Sequence, residues 1–369
     1  MTGAKKKPAA ARRAPAMSKG HSQAPRRLLR DERELVALCL ALVGSRNSLS
    51  QAEQALANGV RPLAEPELVK RARGYIKQGL DPLGGAFLRL RAPAVRRNLG
   101  AVYTPDPIIR SMLNWSADQG TPARVVDPGA GSGRYLLAAA KRFPQAELVA
   151  VELDPLAALM LRANLAALGL TSRVRILVED FRLAELPAIE GRTLYLGNPP
   201  YVRHHDIGDD WKQWFAQSAA AFGVRASKLA GLHIHFFLRV LQLAKPGDVG
   251  AFITSSEWLD VNYGATLRRL LAHQLGGVAV HVLDASAMPF EGAATTGAIT
   301  CFKVGEQSDG LRVRSVPTLE ALNGLSKGVV VPWDRARSAP RWSPSSAQSA
   351  RFLRATSSWE NCAGSIAAR

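Results

Sequence analysis

The chain has 369 residues, a formal net charge of +18 and 47% hydrophobic side chains. That length and apolar content support a sizeable core and exclude a wholly disordered or an acidic protein. No apolar run approaches the roughly 18 residues of a membrane span. The basic N-terminus also lacks the apolar stretch of a secretory signal, so no membrane contact is expected and a cytoplasmic protein is. Three widely separated cysteines, Cys39, Cys301 and Cys362, have no metal-ligand spacing and fit a reducing compartment, so no metal site is expected.

Residues 1–30 carry nine Lys and Arg and no Asp or Glu, which is half of the net charge. Their Lys, Arg, Ala and Pro content predicts a disordered basic arm suited to a polyanion such as nucleic acid. Residues 31–98 read as an N-terminal helical region. Continuous helical patterns cover Asp31–Val43 and Glu65–Gln78, with Pro and Gly breaks between them. From residue 99 to 304, apolar runs of strand type alternate with helical stretches. Strands are expected at Arg124–Val126, Leu148–Val151, Val174–Val178, Leu194–Leu196, Val249–Ile253, Val278–Leu283 and Ile299–Val304. Helices are expected at Tyr135–Phe143, Pro155–Leu168, Leu229–Ala244 and Tyr263–Gln274. This alternation predicts an α/β fold with a mostly parallel sheet covered on both faces. The last two strands have no helix between them and are expected to pair antiparallel, giving one antiparallel edge strand. Residues 305–369 accumulate Ser, Ala, Arg and Pro around isolated Trp333, Trp342 and Trp359, which predicts a short, weakly structured C-terminal region.

Asp127-Pro128-Gly129-Ala130-Gly131-Ser132-Gly133 follows the first strand and opens a helix. Gly129, Gly131 and Gly133 permit a sharp turn and close approach of the backbone to a ligand. Their spacing is GxGxG, not the dinucleotide GxGxxG. Glu152 stands at the end of the next strand, where a carboxylate can accept hydrogen bonds from ribose hydroxyls. The third strand ends in Glu179-Asp180-Phe181: Asp180 can accept from an adenine amine and Phe181 can stack on its ring. Three successive strand ends, each with a suitable group, resemble the S-adenosylmethionine-dependent methyltransferases. The resemblance implies their Rossmann-like sheet and S-adenosylmethionine as cofactor. It implies that the glycine loop cradles the methionine part while Glu152 and Asp180 hold ribose and adenine.

The fourth strand runs into Gly197-Asn198-Pro199-Pro200-Tyr201. A planar amine is a poor nucleophile because its lone pair is delocalised. Two acceptors beside its N–H bonds draw the nitrogen toward a reactive geometry, and the Asn198 side-chain oxygen and the Pro199 carbonyl can supply them. Proline rings fix φ and hold that carbonyl in place. Tyr201 offers a face for a flat base. Here the sequence resembles the gamma-type N6-adenine DNA methyltransferases of type IIG and type I restriction–modification systems. Leu99-Gly100-Ala101-Val102-Tyr103-Thr104-Pro105 matches the segment that precedes the glycine loop in that class, which implies a cofactor role for Tyr103, Thr104 and Pro105. Lys245–Ile253 and Trp258–Gly264 match as well. Pro289-Phe290-Glu291-Gly292-Ala293 resembles the segment whose aromatic residue contacts an extruded base, which implies that Phe290 and Tyr201 hold it. Over residues 99–304 the resemblance implies a site-specific adenine methyltransferase acting on DNA, with the base rotated out of the duplex.

Other residues read more plainly. Trp211, Trp214 and Phe215 are spaced as one helix face and are expected in a core. His233 and His235 lie in an apolar helix, with satisfied hydrogen bonds expected. Arg203, Arg225 and Lys228 are phosphate-contact candidates, and His204 and His205 fit a polar loop equally well. The family carries a large target-recognition region after the catalytic domain. Residues 305–369 are short for one, which leaves a truncated recognition segment or a separate specificity subunit or recognition region as the expectation. Three alternatives stand beside the leading reading: a glutamine methyltransferase of release factors, a ribosomal-RNA N6-adenine or N2-guanine methyltransferase, and a catalytically impaired DNA-binding subunit.

Overall fold

The computed structural model describes residues 29–92, 104–287 and 296–344. The expected basic arm over 1–30 lies almost wholly outside these residues, and all of 345–369 does. Nine strands form one sheet in the order β3-β2-β1-β4-β5-β7-β6-β8-β9. The first five are β1 (Arg124–Pro128), β2 (Glu147–Val151), β3 (Val174–Leu177), β4 (Thr193–Gly197) and β5 (Val249–Ser255), each parallel to its neighbour. β1, β4 and β5 are buried along their whole length. Strands with no wet face read as continuous apolar runs, which is why they were visible in the sequence.

Both faces are covered. On one face lie α5 (Asp106–Asp118) and α6 (Arg134–Arg142), packed through Met112, Trp115, Leu136 and Ala139. On the other lie α8 (Asp209–Ala220), α9 (Leu232–Leu243) and α10 (Ala265–Ala272), packed around Phe237, Phe252 and Trp258. The helix after β2, α7 (Pro155–Leu168), has the bounds read from its sequence. Its N-cap Asp154 accepts from the Leu156 N–H, Pro155 follows at the first helical position, and Gly169 ends it in a left-handed conformation.

α7 is apolar nearly all round, so packing on the sheet leaves an apolar outer face exposed. The N-terminal region covers that face. Four helices, α1 (Glu32–Val43), α2 (Gln51–Leu56), α3 (Pro66–Lys77) and α4 (Pro82–Leu90), share a buried cluster with Leu156, Leu159, Met160 and Ala163. The sequence pattern had marked α1 and α3 but not the shorter α2 and α4. An ion pair inside this layer joins Arg162 of α7 to the fully buried Glu53 of α2 at 2.6 Å.

Two expectations need correcting. β7 (Gly297–Lys303) is antiparallel to β6 (Gly277–Leu283) as expected, but it is not an edge strand. It slots between β5 and β6 and pairs antiparallel with both. Nor are residues 305–344 weakly structured. β8 (Gly310–Val316) continues the sheet parallel to β6, and β9 (Val329–Pro332) pairs antiparallel with β8. α11 (Trp333–Ser338) then folds back, and Trp333 and Trp342 pack with Trp258, with ring centroids 6.2 Å apart along the cluster. The Trp342 backbone N–H donates to the Leu259 carbonyl at 2.9 Å, closing the segment onto the core. Among the described residues, no helix is long and apolar enough to cross a membrane.

Arg162→Met leaves the Glu53 carboxylate buried without its cation. It is expected to lower the unfolding free energy by about 3–5 kcal/mol in a urea titration. Adding Glu53→Leu should recover part of that loss.

Candidate active site

Parallel strands send all their C-terminal ends to one edge of a sheet, and ligands gather there. The loops after β1, β2, β3 and β4 surround a cavity at that edge, lined by Gly129, Gly131, Glu152, Asp180, Phe181, Asn198 and Pro200 among others. Seven of the residues singled out in the sequence are therefore brought together, with Thr104 as an eighth. Asp127, Pro105, Gly133, Pro199 and Tyr201 are not among the lining residues.

The glycine loop is held by its neighbours. The Gly129 and Ala130 N–H groups donate to the Val151 carbonyl at 2.8 and 3.1 Å, and Asn164 of α7 donates to the Ser132 carbonyl at 2.9 Å. Gly133 has φ +92°, and a Cβ there would sit 2.2 Å from a Leu161 methyl, so the turn into α6 requires glycine.

The three acidic strand ends differ in electrostatic state. Asp127 is 1% exposed, and neither of its oxygens has a hydrogen-bond partner among the described residues. Burial first, and then the nearby Glu152 carboxylate, push its pKa well above the usual carboxylate range. Glu152 accepts the Gly131 N–H at 2.7 Å and the Asp154 N–H at 2.8 Å. Burial outweighs those bonds, and its pKa is also raised. Asp180 is ion-paired: Arg182 donates from Nε and Nη2 to its two oxygens at 2.9 and 2.6 Å. The Arg182 guanidinium lies 3.5 Å from the ring centroid of Trp211. Phe181 is buried against Phe236, with ring centroids 5.1 Å apart.

At the end of β4, the Asn198 Nδ2 donates to the Thr104 hydroxyl at 3.1 Å. That bond orients the amide, because its nitrogen edge faces Thr104 and its oxygen lies on the other edge. It joins two sequence motifs 94 positions apart. Pro200 lines the cavity beside Gly129. Tyr201 is half-buried, and its buried hydroxyl has no hydrogen-bond partner among the described residues. Tyr103 and Phe290 lie outside the described residues.

Sequence reasoning missed Asp81, Ser132, Arg182 and Trp211. Asp81 carries only a helix-start signal, Asp-Pro, and nothing in its spacing ties it to the glycine loop. Trp211 was read as core, yet it is half-buried and carries Arg182, whereas Phe215 of the same helix is 1% exposed. The expectation for the two histidines also fails. His235 stacks on Phe215 at 4.2 Å, and neither its Nδ1 nor the His233 Nε2 has a hydrogen-bond partner among the described residues. Burial lowers their pKa values to about 3 and about 4, so both stay neutral. Among the described residues, no group of His, Cys, Asp or Glu is arranged to hold a metal ion.

This wall has the chemistry for a nucleoside with a cationic tail. Phe181 and Phe236 offer an apolar slot for a flat base, the Glu152 carboxylate suits vicinal hydroxyls, and the unpartnered Asp127 carboxylate suits positive charge nearby. S-adenosylmethionine, the cofactor that the fold implies, fits those groups.

Comparison with known proteins agrees. The family model for the Eco57I restriction-modification methylase matches residues 194–282, and that for Conserved hypothetical protein 95 matches residues 98–215. The chain is 54% identical over 324 residues to the type II methyltransferase M.XamI of Xanthomonas campestris pv. amaranthicola, covering 85% of this chain and 60% of the relative. It thus spans about three-fifths of that relative's length. It is 36% identical over 148 residues to the release factor glutamine methyltransferase of Bordetella pertussis, covering 40% of this chain and 51% of the relative. In fold it resembles a Listeria monocytogenes structure assigned to the class I S-adenosylmethionine-dependent methyltransferases. That match has a TM-score of 0.53 at 14% identity and covers 78% of this chain and 94% of that one.

The raised pKa of Asp127 has a thermal consequence. The folded chain retains a proton that the unfolded chain releases above its ordinary pKa of 3.8. The stability contributed by this group is complete below that value and is lost as pH rises through the folded value. Asp127→Asn is therefore expected to raise the melting temperature of the ligand-free protein at about pH 8 and to leave it nearly unchanged at about pH 4. Equal shifts at both pH values would exclude the charge as the cause.

Proposed function

We propose that this chain is a restriction–modification methyltransferase, like the relative it matches at 54% identity, and transfers a methyl group from S-adenosylmethionine to the exocyclic N6 amine of adenine in DNA. The observation that carries the reading is Asn198-Pro199-Pro200-Tyr201 at the rim of a cavity built from three cofactor-type strand ends.

S-adenosylmethionine supplies an electrophilic methyl on a sulfonium. The chain's own residues prepare the acceptor. Asn198 Oδ1 and the Pro199 carbonyl accept the two N–H bonds of the adenine amine. Both acceptors bind more strongly as the nitrogen gains positive charge, so they favour the transition state over the ground state. The N–CH3 bond forms as the S–CH3 bond breaks, a neutral thioether leaves, and the methylated amine releases one proton to water. Thr104 fixes the Asn198 amide in the orientation this requires. Tyr201, with Phe290, sandwiches a base rotated out of the duplex. Glu152, Asp180 and Phe181 bind the cofactor's ribose and adenine, with Asp127, the loop of Gly129, Gly131 and Gly133, and Tyr103-Thr104-Pro105 around its methionine end.

The basic arm over residues 1–30 and the exposed Arg203, Arg225 and Lys228 bind DNA phosphates. The catalytic unit begins near residue 99. Selection of the target sequence belongs to a recognition region or specificity subunit beyond the elements described above. The reaction takes place in the cytoplasm.

Labelled cofactor incubated with the chain and with DNA, RNA or release factor should yield N6-methyladenine in DNA. Label only in RNA or only in protein would overturn the reading. Asn198→Ala should lower kcat by about 100- to 1000-fold while leaving the Kd for S-adenosylhomocysteine within about threefold. A matching loss of cofactor affinity would remove Asn198 from the catalytic step.

A further inference from the structure

The helical region formed by α1 to α4 lies outside every motif used to read the site, yet α4 is tied to that site at both ends. We propose that α4 is a wall of the cofactor site, with Asp81 as a positioning residue that holds the glycine loop through Ser132. The proposal rests on reading the cavity as the S-adenosylmethionine site.

Asp81 is the N-cap of α4. Its Oδ1 accepts the Gly84 N–H at 2.9 Å, and its Oδ2 accepts the Ser132 hydroxyl at 2.5 Å. Gly84 leaves room for this carboxylate, because a Cβ there would meet the Asp81 Oδ2 at 2.2 Å. Ser132 adjoins Gly131, whose N–H is bound by Glu152. A continuous chain of contacts therefore runs from α4 through Asp81, Ser132 and Gly131 to the ribose-type carboxylate.

The other end of α4 is tethered to the acidic loop. Arg91, its C-cap, donates to both Glu32 oxygens at 2.9 Å and pairs with the Asp154 carboxylate, two residues beyond Glu152. Between the two tethers, Gly84, Phe87 and Leu88 line the cavity together with Asp81. One short helix thus spans the two loops that grip opposite parts of a nucleoside with an amino-acid tail. Pinning both loops before the ligand arrives removes an ordering cost from binding.

The test uses the full chain and S-adenosylhomocysteine as the probe, with affinity measured by titration calorimetry. Asp81→Ser keeps a capping oxygen for α4 but is too short to reach Ser132, and Ser132→Ala removes the same bridge from the other side. Each variant should weaken binding about tenfold, the loss expected for a hydrogen bond to a charged group. The double variant should lose no more than either single one, because both break one contact. The probe should also slow amide exchange over residues 82–90 in the unchanged chain and not in Ser132→Ala. Unaltered affinity in both single variants would overturn the proposal, even with a lowered melting temperature, because Asp81 would then only anchor the helical layer. Losses that multiply in the double variant would overturn the relay through Ser132. If the unchanged chain binds no S-adenosylhomocysteine, the cofactor reading falls and takes this proposal with it. Binding by the unchanged chain with no effect of the substitutions sinks the proposal alone.

Discussion

A parallel strand buried on both faces has no side to give to water, and that constraint organises this chain. β1, β4 and β5 must be covered above and below, so the links from β1 to β2, from β2 to β3 and from β4 to β5 run through helices, while β3 reaches β4 without one. Every crossover returns the chain to the same end of the sheet, and four strand ends therefore meet at one edge. The site follows from topology before any side chain is chosen. The same constraint reaches further out. α7 is buried against the sheet on one side and is nearly as apolar on the other, so a sheet covered by helices is still incomplete. The N-terminal helices complete it, and in doing so they bring Asp81 and Arg91 to the loops on either side of α7's start.

The site is acidic and its carboxylates are largely buried, and its three strand ends handle that in different ways. Asp180 is offset by Arg182, whose guanidinium is in turn seated on Trp211. Glu152 is satisfied by two backbone N–H groups. Asp127 has neither a cation nor a donor among the described residues. Burying a carboxylate without a partner costs free energy unless it takes up a proton. A cationic ligand entering the cavity would relieve this cost, so the wall's poorest electrostatic feature without ligand favours the proposed cofactor. The aromatic support matters for the same reason. Trp211 belongs to the helix that follows the Asn-Pro-Pro-Tyr loop, so the Arg182 contact joins the loop after β3 to the segment after β4.

The strands that build the site were legible because they are short apolar runs bounded by turn residues, and α7 was read to the residue because Asp-Pro and Gly mark its ends. Strand order was not legible. The stretch Gly297–Lys303 looks the same in sequence whether it sits at an edge or between two strands, and only the pairing with both β5 and β6 decides it. β8 was missed although Leu-Arg-Val-Arg-Ser-Val opens with apolar and basic residues in alternation, because the Ser and Arg content around it outweighed the period. The site residues at motif positions were legible as types. Asp81, Ser132 and Arg182 were not, since their roles rest on contacts that no local spacing encodes. His233 and His235 show the reverse failure: a general rule about buried polar groups predicted partners that the packing of α9 against Phe215 does not provide.

A planar amine is the shared problem of adenine and of glutamine, so the tetrapeptide alone does not select the acceptor. The two family models overlap over residues 194–215, which span β4, the Asn-Pro-Pro-Tyr loop and the start of α8. Selection must come from what surrounds that loop. The segment before α9 is tied directly to it, since the Leu232 N–H donates to the Val202 carbonyl at 3.0 Å. Arg203, Arg225 and Lys228 are exposed on these two linked segments, and none of the three is ion-paired among the described residues. A glutamine side chain entering the site brings no row of negative charges, whereas a base carried on a phosphate backbone does. Cations beside the mouth of the site gain from the second substrate and not from the first. On the proposed reading, charge around the loop chooses the acceptor and the loop itself the chemistry.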